Sequence, residues 1–226
     1  MTILRPRGRA GKVTGMYTVR TLREGLVPIS VLLLLLAVFA VLSPLAALVP
    51  LLLLLFTVAF FRDPARLGGH DPGSILAPAD GKVVDLGPAA EDRYLRARGT
   101  RIGIFLSVFD VHVQRSPIEG EVRFVHYQPG GHLDARDPRA AAVNECRTLG
   151  IEAADGFRIT VRQLAGKVAR RIVGWAQAGD RLAQGERLGM IRFGSRVELY
   201  LPPEVEIEVR VGQHVRGGET VLARRK

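Results

Sequence analysis

The stretch Gly189-Met-Ile-Arg-Phe-Gly-Ser-Arg-Val-Glu-Leu-Tyr-Leu201 sets a Gly194-Ser195 step between two apolar, strand-like runs. Such a step is first of all turn chemistry, because glycine tolerates positive φ and serine hydrogen-bonds its own backbone. It also meets the needs of backbone self-cleavage: a glycine carbonyl has no side chain to block approach, and the next residue's hydroxyl can attack it. The texture of this stretch recurs along the chain. Short Val/Ile/Leu-rich runs at 81–86, 101–108, 120–127, 157–164, 187–193, 196–201 and 205–211 alternate with Gly, Pro and Asp turns. Residues 134–146 are compatible with a short helix, and no long run of helical periodicity appears.

A faint internal echo refines the class. Ala178-Gly-Asp-Arg-Leu-Ala-Gln-Gly-Glu-Arg-Leu188 and Val211-Gly-Gln-His-Val-Arg-Gly-Gly-Glu-Thr-Val221 keep Gly, an apolar residue, Gly and Glu in register. This resembles the turn units of barrel-sandwich folds of the biotinyl/lipoyl kind. The expected fold is therefore mainly β, a barrel-sandwich-like domain with little helix. A carrier role for it is improbable: the lysines beyond residue 71 are Lys82, Lys167 and Lys226, and none sits at a hairpin tip of the kind that is modified.

Upstream the composition changes. Residues 26–61 are 36 in a row without a charge, too many for one membrane helix and nearly right for two short ones. Ser43-Pro44, with Pro50 beyond it, divides the run into arms of about 18 and 17 residues. Arg5, Arg7, Arg9, Lys12, Arg20 and Arg23 precede it, and Arg62 and Arg66 follow. Basic flanks on both sides predict a hairpin with both ends in the cytoplasm. The chain then divides into a basic cytoplasmic arm (1–25), a hydrophobic α-helical membrane hairpin (26–61) and a β domain (62–226) on the cytoplasmic face of the cell membrane. The net charge of +10 suits anionic headgroups. No aromatic-interleaved basic patch accompanies it, so nucleic acid is not an expected partner. The single cysteine, Cys146, excludes an internal disulfide framework and reads as a small, partly buried residue.

Several polar groups are candidates for chemistry. Asp80 lies in Pro78-Ala-Asp-Gly-Lys-Val83, at a tight turn into a strand. Asp110 and His112 end an apolar strand and fall on one side of an alternating segment, with Arg115 close behind. His126 and His132 flank Tyr127-Gln-Pro-Gly-Gly, a loop able to line a pocket, and Asn144-Glu145 forms a polar pair. His70 falls in a Gly/Asp/Pro-rich linker and His214 in a turn unit. There is no Cys/His metal spacing and no phosphate-binding loop, so no metal is expected.

Phe60-Phe-Arg-Asp-Pro-Ala-Arg66, Pro78-Ala-Asp-Gly-Lys-Val83, Phe109-Asp-Val-His-Val-Gln-Arg115, Asn144-Glu145 and Phe193-Gly-Ser-Arg-Val197 occur in this order. Together they resemble the phosphatidylserine decarboxylase family in its short bacterial and archaeal form, over essentially the whole chain. Gln114 departs from the pattern, which usually has Asn there, and Arg115 stands where long forms carry a second His. The resemblance implies a pyruvoyl-dependent carboxy-lyase, made as a zymogen, that converts phosphatidylserine to phosphatidylethanolamine and CO2. Ser195 would attack the Gly194 carbonyl in an autocatalytic serinolysis, with His112 as base and Asp80 fixing its tautomer. The cut would leave a β chain, 1–194, and a 32-residue α chain, 195–226, headed by a covalent pyruvoyl group made from Ser195, which forms a Schiff base with the substrate amine. The two chains would stay associated as a heterodimer, with a higher oligomer open. Arg115, Arg196 and His126 are candidate substrate-binding residues. Two rivals remain: a non-catalytic membrane-anchored adaptor, which leaves Asp80, His112 and Gly194-Ser195 unexplained, and a pyruvoyl decarboxylase of another amine, which leaves the apolar run without purpose.

Overall fold

A computed structural model describes residues 16–226 except 67–70, 72, 138, 168–170 and 193. Most of the expected basic arm, together with His70 and Phe193, lies outside the described residues. Two helices come first, α1 (Val19–Leu42) and α2 (Pro44–Phe60), and they meet at one residue, Ser43. Ser43 is extended; its N–H donates to the Phe39 carbonyl and its hydroxyl accepts from the Ala46 N–H. It thus caps both helices, with Pro44 at the helical position where a missing N–H is harmless. The break falls where the sequence predicts it, whereas Pro50 is carried inside α2. The start does not. α1 begins within the basic arm because Thr18 and Thr21 form a reciprocal capping box, a local signal that ignores where the charges stop. α1 is long and apolar enough to cross a membrane, and α2 is a shorter apolar helix. Among the described residues, the large exposed apolar side chains all lie at 16–55 except Phe109, Tyr127, Val143 and Val211.

The rest is β structure with one short helix, α3 (Ala140–Val143). Its strands are β1 (Ser74–Leu76), β2 (Gly81–Glu91), β3 (Ala97–Leu106), β4 (Val113–Arg115), β5 (Gly120–Gln128), β6 (Cys146–Glu152) and β7 (Arg158–Leu164), followed by β8 (Ile172–Gly174), β9 (Arg181–Leu182), β10 (Arg187–Ile191), β11 (Ser195–Leu201), β12 (Val205–Ile207), β13 (His214–Val215) and β14 (Val221–Arg225). Eight of them form one curled sheet in the order β13-β2-β3-β11-β7-β6-β5-β9, and two three-stranded sheets, β1-β14-β12 and β4-β10-β8, complete the sandwich. The core between the layers is aliphatic, with Ile102 and Ile104 of β3, Leu149 and Ile151 of β6, and Val197 and Leu199 of β11 fully buried. Mainly β architecture with little helix beyond the N-terminal pair is as the sequence predicts.

Two expectations change in detail. β6 occupies Cys146–Glu152, next to the stretch read as compatible with a helix, and α3 is a single turn. Six of the seven β6 residues are buried, so both faces are covered and the alternation that marks a half-exposed strand is missing. The run at 205–211 is a strand only at Val205–Ile207.

The internal echo is a structural repeat. Gly179 and Gly212 have φ of 90° and 92°, and Gly185 and Gly218 have φ of 77° and 74°, the left-handed region that favours glycine. Gly179 N–H donates to the Val122 carbonyl while Val122 N–H donates to the Asp180 carbonyl; Gly212, Val83 and Gln213 repeat the exchange. These two units pair with two related turns, Pro78–Val83 and Pro117–Val122. Asp80 stands in the first, and the exposed Glu119 holds the same place in the second.

Candidate active site

Ser195 opens β11, the strand that runs between β3 and β7. Along a strand successive side chains alternate, so Ser195 shares a face with Val197 and Leu199, both core residues. Arg196 falls on the opposite face with Glu198 and Tyr200. Ser195 is fully buried, and its hydroxyl has no hydrogen-bond partner. Gly194, immediately before it, has φ of 53°, a conformation most side chains resist. A Cβ built on Gly166 would lie 2.1 Å from the Gly194 carbonyl oxygen, so the Gly194–Ser195 peptide rests directly on the Gly166 backbone. That backing is itself fixed. The Asn144 side chain donates to the carbonyls of Leu133 and Ala165 and accepts from the Leu133 N–H. Asn144 therefore clamps the residue before Gly166.

Ile191 and Ser195, on either side of Gly194, are both tied to the segment 106–112. Ser195 pairs with Leu106 at one end, and Ile191 N–H donates to the His112 carbonyl at the other. His112 is fully buried, and its Nε2 has no partner. Its Nδ1 lies 2.9 Å from the Asp110 carbonyl oxygen. A carbonyl can only accept, so Nδ1 carries the hydrogen and Nε2 presents its lone pair. Burial lowers the His112 pKa to about 4, against the smaller opposing effects of the Asp110 carbonyl and carboxylate. The ring is thus neutral at physiological pH and in the tautomer of a base. Alternation sets the two side chains on one side, yet the Asp110 carboxylate makes no hydrogen bond to the ring. The chain turns here, and that carboxylate accepts from the N–H and hydroxyl of Ser107.

Asp80 is placed differently from expectation. Its carboxylate accepts two hydrogen bonds from Arg66 Nη2, at 2.8 and 2.7 Å, and one from the Gly217 N–H at 2.7 Å. None of its bonds goes to His112, whose tautomer is held by the Asp110 backbone instead. Burial raises the Asp80 pKa, and Arg66 is the chief influence lowering it. The Asp110 charge also raises it. Three converging hydrogen bonds at a tight turn explain the difference: they hold the carboxylate where the backbone puts it.

The expected substrate-binding residues separate. Arg115 donates to Asp63 at 2.6 Å and to the carbonyls of Pro64 and Gly185, and burial lowers its pKa to about 10. Arg196 pairs with Asp85 and Glu198 on the face away from Ser195. His126 lies on β5, three strands from β11, stacked on Phe124. Ser195 and Gly194 thus lie on a segment bonded at Ser195 and Ile191 to the one that carries His112, Asp80 takes Arg66 and Gly217, and Arg115, Arg196 and His126 have separate surroundings. What the sequence did not assign is the role of Phe60–Arg66. Asp63, fully buried, takes Arg115 and Arg187; Arg66 takes Asp80 and Glu219. The Phe60 ring lies 4.2 Å from the His112 ring, Phe56 meets Phe109 edge-on, and Arg62 donates to the Phe109 carbonyl. The end of the apolar hairpin thus packs on the loop that carries His112. The motif was visible in the sequence; its partners, 14 to 153 residues away, were not.

Gln114 also has a place. Its amide donates to the His112 carbonyl and accepts from Gln163, which in turn accepts from Arg147. The chain of bonds steadies the same histidine backbone.

Residues 53–223 match the phosphatidylserine decarboxylase family. The phosphatidylserine decarboxylase proenzyme of Geobacter sulfurreducens is 49% identical over 168 residues, 74% of this chain and 77% of that protein. Those of Syntrophotalea carbinolica, 49% identical (75% and 79% covered), and Symbiobacterium thermophilum, 46% identical (76% and 80% covered), are similar to it as well. With a match across three quarters of its length that takes in Asp80, His112 and Gly194-Ser195, the chain belongs to the phosphatidylserine decarboxylase family.

Proposed function

We propose that this chain is a membrane-anchored proenzyme that cuts itself between Gly194 and Ser195 and then decarboxylates phosphatidylserine to phosphatidylethanolamine. The observation that carries the reading is a pair of buried, unbonded atoms, Ser195 Oγ and His112 Nε2, on two segments tied at both ends. A buried hydroxyl and imidazole without partners cost stability, and a reaction that uses both is a reason for the fold to keep them.

The residues account for each step of self-cleavage. His112 Nε2 takes the Ser195 hydroxyl proton, and Oγ attacks the Gly194 carbonyl carbon, which carries no side chain and is exposed by the φ of 53°. The Gly194–Ser195 C–N bond breaks, the nitrogen receives the proton from His112, and an ester with a free amine results. Loss of the residue 195 α-proton expels the Gly194 carboxylate by breaking the Cβ–Oγ bond. Water then hydrolyses the remaining enamine, through its imine tautomer, releasing ammonia and leaving a ketone at position 195. A base with a pKa near 4 is weak; a step performed once per molecule tolerates a slow rate. Asp80 steadies the surroundings by holding Arg66 and the Gly217 turn.

The pyruvoyl group fits this position, since it replaces a side chain that has no bond to lose, and it supplies an electron sink for the substrate's amine-bearing carbon. Around it His112 is positioned to return a proton, and the Phe60 ring excludes water from the imidazole. The packing of α2 against the Phe109–His112 loop holds the site at the foot of the apolar helices, where a two-chained lipid is confined. With 62–226 on the cytoplasmic side, substrate is drawn from that leaflet.

Intact-mass measurement of the purified protein tests the reading: fragments ending at Gly194 and beginning with a blocked residue 195 are expected, and a single chain in active preparations would sink it. Ser195→Ala removes both cleavage and CO2 release from phosphatidylserine liposomes.

A further inference from the structure

The hairpin does more than hold the domain at a surface, because its first helix reaches the segment that is cut. We infer that Glu24 of α1 is a positioning residue for self-cleavage, holding Arg192 and with it the N-terminal arm of the scissile loop. The inference rests on Gly194–Ser195 being the bond that breaks.

Glu24 Oε2 accepts from Arg192 Nη2 across 168 residues of sequence, and both side chains are largely withdrawn from solvent. Arg192 stands two residues before Gly194. The loop has few other fixed points on this side: beyond the Ile191 bond to His112, the Arg192 N–H donates to the Arg171 carbonyl at 3.3 Å, a long contact. Gly194 must keep its positive φ and its carbonyl against Gly166 while Ser195 approaches. A guanidinium pulled toward Glu24 opposes relaxation of that arm.

Glu24 is rigidly placed. Thr21, one turn before it, is fully buried and belongs to the capping box. A Cβ on Gly25 would lie 2.9 Å from the Phe61 ring, so the helix backbone rests on the end of α2. Arg20 lies over the Trp175 ring at 5.8 Å, and the Met16 carbonyl accepts from the Asp63 N–H at 2.7 Å. Two of these contacts, Arg20 with Trp175 and Met16 with Asp63, dock the start of α1 on the β domain. Glu24 lies outside residues 53–223, which match the family, whereas Arg192 lies within them. An activity assigned to the β domain alone would thus lack one of its supports.

The experiment follows conversion of newly made full-length chain to its 194- and 32-residue fragments, in membranes, by gel electrophoresis. Glu24→Gln and Arg192→Gln are each expected to slow conversion about three- to tenfold, the range for a charge-assisted, partly screened pair. The exchanged chain, Glu24→Arg with Arg192→Glu, is expected to recover most of the rate, which loss of packing alone would not permit. Added salt slows the wild-type chain and leaves Glu24→Gln unchanged. Wild-type rates in both single variants, or a wild-type rate indifferent to salt, overturn the inference; the salt arm decides if the variants fail to fold. If the wild-type chain is never cut at Gly194, the reading of the site falls first. If it is cut and Glu24→Gln is cut as fast, the role of Glu24 falls alone.

Discussion

Gly166 shows how a residue without a side chain can be part of a reaction. Its backbone supports the Gly194 carbonyl, and an added methyl group would stand 2.1 Å from that oxygen. Gly166→Ala must displace the peptide that the proposed self-cleavage breaks, and a displacement near 1 Å costs about a hundredfold in rate. We expect the variant to fold and to accumulate as uncut chain on a gel. Wild-type processing would show that the contact is incidental. His112 supports a second expectation, with a definite sign. Its pKa falls from 6.5 to about 4 on folding, so the unfolded chain binds a proton that the folded chain excludes. The stabilisation of the neutral ring is fully present above 6.5 and is lost as pH falls toward 4, by about 1.4 kcal/mol per unit. Self-cleavage should be flat through neutral pH and decline only as pH nears 4. A rate that halves near 6.5 would mean a base other than the buried His112.

At the scale of elements, the segment that leaves α2 joins anchor and domain. Asp63 is fully buried between Arg115 and Arg187. Asp63→Asn leaves two guanidinium groups without their counter-charge, and the loss of one partner of a buried ion pair costs about 3–5 kcal/mol. A fall of that size should appear in chemical denaturation of Ser195→Ala chain, in which cleavage cannot intervene. A change under about 1 kcal/mol would mean that solvent reaches the cluster and screens it. Most elements were legible in the sequence because their signals are local: the capping Ser43-Pro44, the paired glycines of the echo, the alternating β3. β6 was not, because a strand covered on both faces loses its period. The start of α1 was misread for a related reason, since hydropathy marks the apolar stretch and capping marks the helix.

For the whole molecule, the proposed cleavage at Gly194 would remove nothing from the fold. The 32 residues from 195 on supply β11 at the centre of the large sheet, β12 and β14 in a second sheet, and β13 at an edge. β11 pairs with β3 over Ser195–Leu201 and with β7 over Arg196–Tyr200. The two products should elute together in native gel filtration and separate only in denaturant. Dissociation in dilute buffer would show that the shared sheet is weaker than its pairing suggests.

The sequence by itself determined the class of the fold, the apolar hairpin, the Gly-Ser step and the residues that resemble a decarboxylase, since all of these are written in composition, period or contiguous motif. Tertiary structure decided the rest. It assigned Asp80 to Arg66, the His112 tautomer to the Asp110 carbonyl, Arg115 to Asp63, and Glu24 to Arg192. Each of those pairings depends on which side chain meets which once distant segments pack, and a buried charge takes the partner the packing delivers. A motif names the residue; only the fold supplies its neighbour.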